Sequence, residues 1–251
     1  NLVSALSSGS VHVVDLTAPL SEQTPILELP EQFGQTATFQ LEEISRYDER
    51  GPAWYWNNFH TGEHTGTHFD APNHWVTGKG LDDIASVPAA NLIAPAVVLD
   101  VADRVAQDPD FLIEVEHIQA FEAEHGPLPK NGWLLCRTGW SVRTTQEEMI
   151  NNTETGPHSP GLSAECARWV AEESPLQGMG VETVGTDAGA AHSFDPNFPC
   201  HAYLMGADKY GLTQLQNLDQ LPPTGAVVIA SPLKIVGGSG SPARVLALVE
   251  R

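Results

Sequence analysis

Ten histidines are spread along this chain of 251 residues, and four of them fall between His60 and His74. The run His64-Thr65-Gly66-Thr67-His68-Phe69-Asp70-Ala71-Pro72-Asn73-His74 brings three imidazoles and a carboxylate close together. Neutral imidazole and carboxylate are the usual ligands of borderline divalent ions such as Zn²⁺ and Mn²⁺. The chemistry implied is hydrolytic, with a metal ion making water a better nucleophile or polarising a carbonyl. His64 and His68 are four apart, yet Gly66, the flanking threonines and Pro72 oppose a helix. In an extended segment alternate side chains share a face. His64, Gly66, His68, Asp70 and His74 then point the same way until Pro72 bends the chain, and two histidines with one aspartate reach one ion. Gly66 would leave a gap through which an ion or substrate approaches the backbone.

Other residues gather around this run. Trp54, Tyr55, Trp56, Phe59, Phe69 and Trp75 concentrate aromatic surface beside it, and Trp54, Trp56, Phe59 and Trp75 are the candidate walls for a flat substrate. Core or interface packing is the alternative use of such rings. His60 shares the even register and suits an outer or structural position. Asp187 follows an apolar run and is placed either to orient a histidine or to serve its loop.

Composition narrows the partners. With 32 acidic and 12 basic residues the formal charge is −20, which repels nucleic acid and anionic membranes. No stretch is long and apolar enough for a membrane-spanning helix. The three cysteines, Cys136, Cys166 and Cys200, form no CxxC pair and no even disulfide framework. They suit a reducing compartment, so a cytoplasmic location is expected, with the periplasm left open. The chain opens on Asn1 rather than Met, as expected if its start is trimmed or a leader or tag is missing, and no signal peptide is recognisable.

The elements that must position the histidines read as a strand-rich α/β pattern. Strands are expected at 11–16, 36–44, 54–69, 94–99, 133–137, 179–184, 226–230 and 245–249, several of them apolar throughout and so buried on both faces. Amphipathic helices are expected over 115–125 and from Ser163 to about Glu173, with a short helical turn at 82–87. No repeat or low-complexity linker divides the chain, so residues 1–251 read as one mixed α/β domain with a largely buried sheet.

The histidine run resembles the signature His-x-Gly-Thr-His-x-Asp-x-Pro-x-His of the cyclase-family metal hydrolases, the group that includes bacterial kynurenine formamidase. The similarity extends to Asp15-Leu16-Thr17, Thr138-Gly139-Trp140-Ser141, Gly161-Leu162-Ser163 and Asn217-Leu218-Asp219-Gln220-Leu221. It implies a swivelling β/β/α fold assembled as homodimers or larger homo-oligomers. It further implies that His64, His68 and Asp70 bind metal and that His74 is the catalytic acid–base. The family's formamidases hold a second ion with the same aspartate, a downstream histidine and a glutamate twelve residues beyond it. His201 matches that histidine, but Thr213 stands at the glutamate's place. One ion per subunit is therefore expected, leaving His201 to contact substrate or shuttle protons. The isatin-hydrolysing branch of the family shares this departure and uses Mn²⁺, with Zn²⁺ as the alternative here. The expected reaction is opening of the isatin lactam to isatinate. The alternatives are an arylformamidase acting on N-formylkynurenine, another cyclic amide or ester hydrolase, and a metal-dependent binding protein without catalysis.

Overall fold

The computed structural model describes residues 2–250. Ten strands carry the architecture: β1 (Val11–Asp15), β2 (Gln40–Arg46), β3 (Tyr55–His60), β4 (His68–Asp70), β5 (Ile93–Asp100), β6 (Trp133–Arg137), β7 (Gly178–Val181), β8 (Tyr210–Thr213), β9 (Ala226–Pro232) and β10 (Gly240–Glu250). Strands β5, β6, β7 and β8 run parallel to one another. Antiparallel β9 and β10 extend this sheet from β5, and β4 bridges β8 to the start of β10, which closes a seven-strand ring. β1 adds to the outer part of β10. β2 and β3 stand apart as a two-stranded arm, paired only with each other.

The apolar runs explain this arrangement. In β5 and β6 successive residues alternate between two cores: Ala96, Val98, Trp133 and Leu135 belong to one, Val97, Leu99, Leu134 and Cys136 to the other. The first core fills the ring together with Phe69, Leu212, Val228 and Val245. The second is roofed by helices α1 (Val115–His125) and α2 (Ala164–Glu172), through Ile118, Phe121, Ala167 and Val170. Both helices start on caps written in the sequence. The Ser163 side chain accepts from the Cys166 amide at 3.2 Å, and at Glu114 the cap is reciprocal, with His117 accepting from the Glu114 amide at 2.9 Å. Each such cap contributes about 1 kcal/mol.

The mixed α/β class with a buried sheet is as the sequence implied, and β6 and α1 occupy the expected residues. Two expectations give way. Residues 82–87 form turns rather than a helical turn, with Asp83 accepting from the Ser86 amide. The strand expected over 54–69 is split into β3 and β4, because Gly66 adopts φ +66° and turns the chain. None of the described helices is long and apolar enough to cross a membrane. All three cysteines are free and buried.

Candidate metal centre

Alternation in β4 builds the centre. Phe69 points into the ring core, so His68 and Asp70 emerge together on the opposite face, 4% and 1% exposed. Asp70 is paired with Gly211 on β8 and Gly240 on β10, and His68 with Thr213 and Pro242. The two glycines make the room. A Cβ at Gly211 would lie 2.7 Å from Asp70 Oδ2, and one at Gly240 would lie 2.6 Å from His64 Cε1. Gly66, by contrast, opens no gap for a ligand. It backs onto Leu20 and Thr24, and its carbonyl accepts from His68 Nδ1 at 2.7 Å.

Outer partners fix two of the imidazoles. Ser239 donates its hydroxyl to Glu63 at 2.7 Å, so it accepts from His64 Nε2 at 2.8 Å. The remaining nitrogen, His64 Nδ1, faces Asp70 Oδ1 at 2.8 Å. Donation from His68 Nδ1 to Gly66 likewise turns His68 Nε2 to the same carboxylate oxygen, at 3.3 Å. Two ring nitrogens thus converge on Asp70, whose second oxygen is buried without any hydrogen-bond partner. Such a cluster of lone pairs calls for a cation, and anchoring the far nitrogen is how proteins orient histidine ligands. The donor set therefore fits a divalent ion. Burial alone would raise the Asp70 carboxyl, yet His68 and His64 beside it hold it well below the usual carboxylate range.

His74 enters from the one-turn 3₁₀ segment Pro72–His74, its ring stacked on His64 at 3.8 Å between centroids. Ligand atoms of His64, Asp70 and His74 lie within 4.8 Å of one another, so His74 makes a more compact triplet than His68 does. No hydrogen bond anchors the His74 ring among the described residues, however, and this distinguishes it from the two histidines on either side of Asp70. Burial, with smaller contributions from His64 and His201, lowers the His74 imidazole to about 3, against the pull of Asp70.

The opposite wall is His201, the first residue of a π-helical turn, His201–Met205. Its ring lies 5.4 Å from His74 and 4.8 Å from Trp75, and Phe198 packs 5.8 Å from Trp75. Asp187 clamps it: Oδ2 takes His201 Nδ1 at 2.5 Å and the His201 amide at 3.2 Å, while Oδ1 takes the Cys200 amide at 2.7 Å. Burial lowers His201, but the hydrogen bond and charge of Asp187 outweigh it and leave the imidazole raised above its ordinary value. The clamp gives His201 one free ring nitrogen.

The structure thus gathers His64, His68, Asp70, His74, Trp75 and His201. It does not gather Trp54, Trp56 and Phe59 with them. These sit on the β2–β3 arm and, among the described residues, make no ring contact with the histidines. Phe59 stacks with Phe39 instead, because strand pairing carries the arm away from the ring. Sequence reasoning missed Gly211, Gly240, Ser239 and Glu63 as site builders, since strand register alone brings them to His64 and Asp70. Thr213 was singled out as a missing ligand. Its hydroxyl lies 2.8 Å from His68 Nδ1 and 3.2 Å from His68 Nε2.

Residues 14–188 match the Cyclase family model. The chain belongs to the Cyclase family. It is 45% identical to the isatin hydrolase of Roseibium aggregatum, over 98% of this chain and 95% of that protein. A kynurenine formamidase of Polaromonas naphthalenivorans is 26% identical over 96% of this chain and 93% of its own length. The crystal structure of an isatin hydrolase bound to the product analogue thioisatinate superposes with a TM-score of 0.97 at 44% identity, covering 100% of this chain and 97% of that one. The ring, both helices and the histidine wall therefore belong to a fold shared with known hydrolases, and this family member is a hydrolytic enzyme.

Proposed function

We propose that the chain is a metal-dependent amidohydrolase that opens the lactam of isatin to isatinate. The observation that carries this reading is the end-to-end likeness, at 45% identity, to an isatin hydrolase. A geometric point supports it. Thr213 stands directly across β8 and β4 from His68, so its position is at the site, yet it offers a hydroxyl where the formamidase resemblance asks for a carboxylate. A second ion has lost its ligand there. Arylformamidase activity is the second reading, supported by the likeness to kynurenine formamidase.

His64, His68 and Asp70 hold one divalent ion, Mn²⁺ by preference with Zn²⁺ as the alternative. When bound, such an ion lowers the pKa of a water and polarises a carbonyl. His74, unanchored and kept neutral by its burial, takes the proton as water oxygen bonds to the lactam carbonyl carbon. His201, held by Asp187 through Nδ1, uses its free nitrogen to protonate the ring nitrogen as the carbon–nitrogen bond breaks. Because the amine stays tethered in the product, prompt protonation prevents reclosure. Trp75, packed against His201, offers one flat wall to an aromatic substrate.

Turnover of isatin and of N-formylkynurenine by the same preparation tests the reading. Loss of isatin absorbance at a kcat/KM well above that for the formamide is expected. Rapid formamide cleavage with isatin untouched would hand the assignment to the arylformamidase reading.

A further inference from the structure

The stretch Gly237-Gly238-Ser239-Gly240 has the composition of a flexible linker, yet every residue of it is held. The Gly237 amide donates to Asp83 Oδ2 at 2.6 Å, and the Gly238 carbonyl accepts from the Ile84 amide at 3.0 Å. The Ser239 carbonyl accepts from the Ala71 amide at 3.0 Å, directly after Asp70. A Cβ at Gly238 would lie 2.9 Å from Glu63 Oε1, so glycine there lets the carboxylate lie against the loop. Ser239 then gives both its amide (3.0 Å) and its hydroxyl (2.7 Å) to Glu63 Oε2. Among the described residues these are the only hydrogen bonds that Glu63 makes, and no lysine or arginine pairs with it. A half-buried carboxylate thus faces the His64 ring with one hydroxyl between them.

We propose that Glu63 is a positioning residue for the metal ion, supplying through Ser239 the second negative charge that balances a divalent cation at His64 and Asp70. This rests on the metal-dependent reading of the site. The two histidines are anchored differently. The far nitrogen of His68 donates to the neutral Gly66 carbonyl, whereas that of His64 donates to a hydroxyl that itself donates to a carboxylate. Hydrogen bonds in such a chain polarise one another. The carboxylate therefore draws on the Nε2 proton of His64 and enriches Nδ1, the nitrogen that faces Asp70 at 2.8 Å. A more basic imidazole is a better ligand, and a carboxylate behind a histidine is a recurrent way to make one. The charge count agrees. Asp70 offers one negative charge to an ion carrying two, and neutral His64 and His68 add none. A net positive charge left in a buried centre is costly, and Glu63 cancels it without crowding the ligands. Gly238, Ser239 and Gly240 each serve this arrangement: the first seats the carboxylate, the second relays it, and the third leaves room for the His64 ring.

Titration of Mn²⁺ into the chelated full-length chain, followed by the electron paramagnetic resonance of the free ion, tests this without any turnover. Glu63→Gln keeps an acceptor for Ser239 and loses only the charge. Its Mn²⁺ affinity should fall by about tenfold, the lower end of what outer partners of metal ligands contribute. Ser239→Ala should lower affinity by about 10–100-fold. The double variant should bind no more weakly than Ser239→Ala alone, because Glu63 reaches His64 only through that hydroxyl. Losses that add, or an unchanged affinity in Glu63→Gln, overturn the proposal. Asp83→Asn is the control for the loop, since Asp83 braces it at Gly237 without touching His64. Its affinity should match that of the unsubstituted chain, and a loss equal to that of Glu63→Gln would mean that bracing, not charge, is at work. Melting curves of the metal-free variants keep folding apart from binding. Glu63→Gln should melt with the unsubstituted chain yet bind Mn²⁺ more weakly, and affinity lost only in step with melting temperature overturns the assignment. An unsubstituted chain that binds neither Mn²⁺ nor Zn²⁺ would sink the metal-dependent reading itself. Tight binding there with unchanged Glu63→Gln rejects the part of Glu63 alone.

Discussion

The residues on either side of Thr61 make an instructive pair. From His64 to His74 the polar side chains are buried or half-buried, cross-braced to β8 and β10 and oriented by Gly66, Ser239 and Glu63. From Gln40 to His60 aromatic side chains stand in solvent on a hairpin braced only by itself. Both stretches are rich in rings, but only the first gathers at the site. The first is organised by one chain and can be read for chemistry directly. The second is left exposed by its own chain, and no chemistry can be read from it directly. Burial, rather than residue type, separates a preorganised centre from an exposed surface.

The contrast predicts effects of very different size. Replacing His64, His68 or Asp70 by Ala should abolish metal retention and isatin turnover together, as read by metal content of the purified protein alongside rate. His74→Ala should keep the metal and lose on the order of 10²–10⁴-fold in kcat, the usual worth of a positioned acid–base. Metal loss in His74→Ala with metal kept in His68→Ala would exchange the roles of those two residues.

Asp187→Asn should slow turnover by about tenfold or more and shift the pH profile. Asp187 raises the His201 imidazole, so its removal lets His201 lose its proton at lower pH, and the alkaline limb of kcat/KM moves acidward. Stability follows the same sign. A raised imidazole contributes stability that is fully present below its unfolded value of about 6.5 and is lost as pH rises through the folded value. The Tm deficit of Asp187→Asn should accordingly be largest at acidic pH and shrink at alkaline pH.

Gly211→Ala should destabilise by about 1–3 kcal/mol, the range for overpacking, and weaken metal binding, since its methyl group would press on Asp70 Oδ2. Phe59→Ser should move the unfolding free energy of a single chain by only about 0.5 kcal/mol, as expected of an exposed position. Denaturant titrations of the two variants side by side would show whether buried and exposed regions differ as described.

Much of this was legible in the residues. Continuous apolar runs such as Trp133–Arg137 announced strands buried on both faces, and Ser163 announced a helix start by its capping chemistry. The histidine spacing pointed to one ion because His68 and Asp70 are two apart on a strand. What stayed hidden depended on register. Tyr210–Thr213 is short and contains a glycine, so nothing local marks it as a strand. Only its pairing with β4 puts Gly211 and Thr213 against Asp70 and His68. The even register of His64 failed for a related reason. The left-handed turn at Gly66 brings His64 back by folding rather than by alternation. Asp187 and His201 are joined by a hydrogen bond at the start of a π-helical turn that no periodicity in the sequence signals.

The most direct test of the account titrates Mn²⁺ into chelated enzyme while isatin turnover and bound metal are measured on the same samples. Activity that is absent without metal and reaches its plateau at one ion per chain is the predicted result. A plateau at two ions per chain, or undiminished turnover in metal-free protein, would contradict a single ion held by His64, His68 and Asp70.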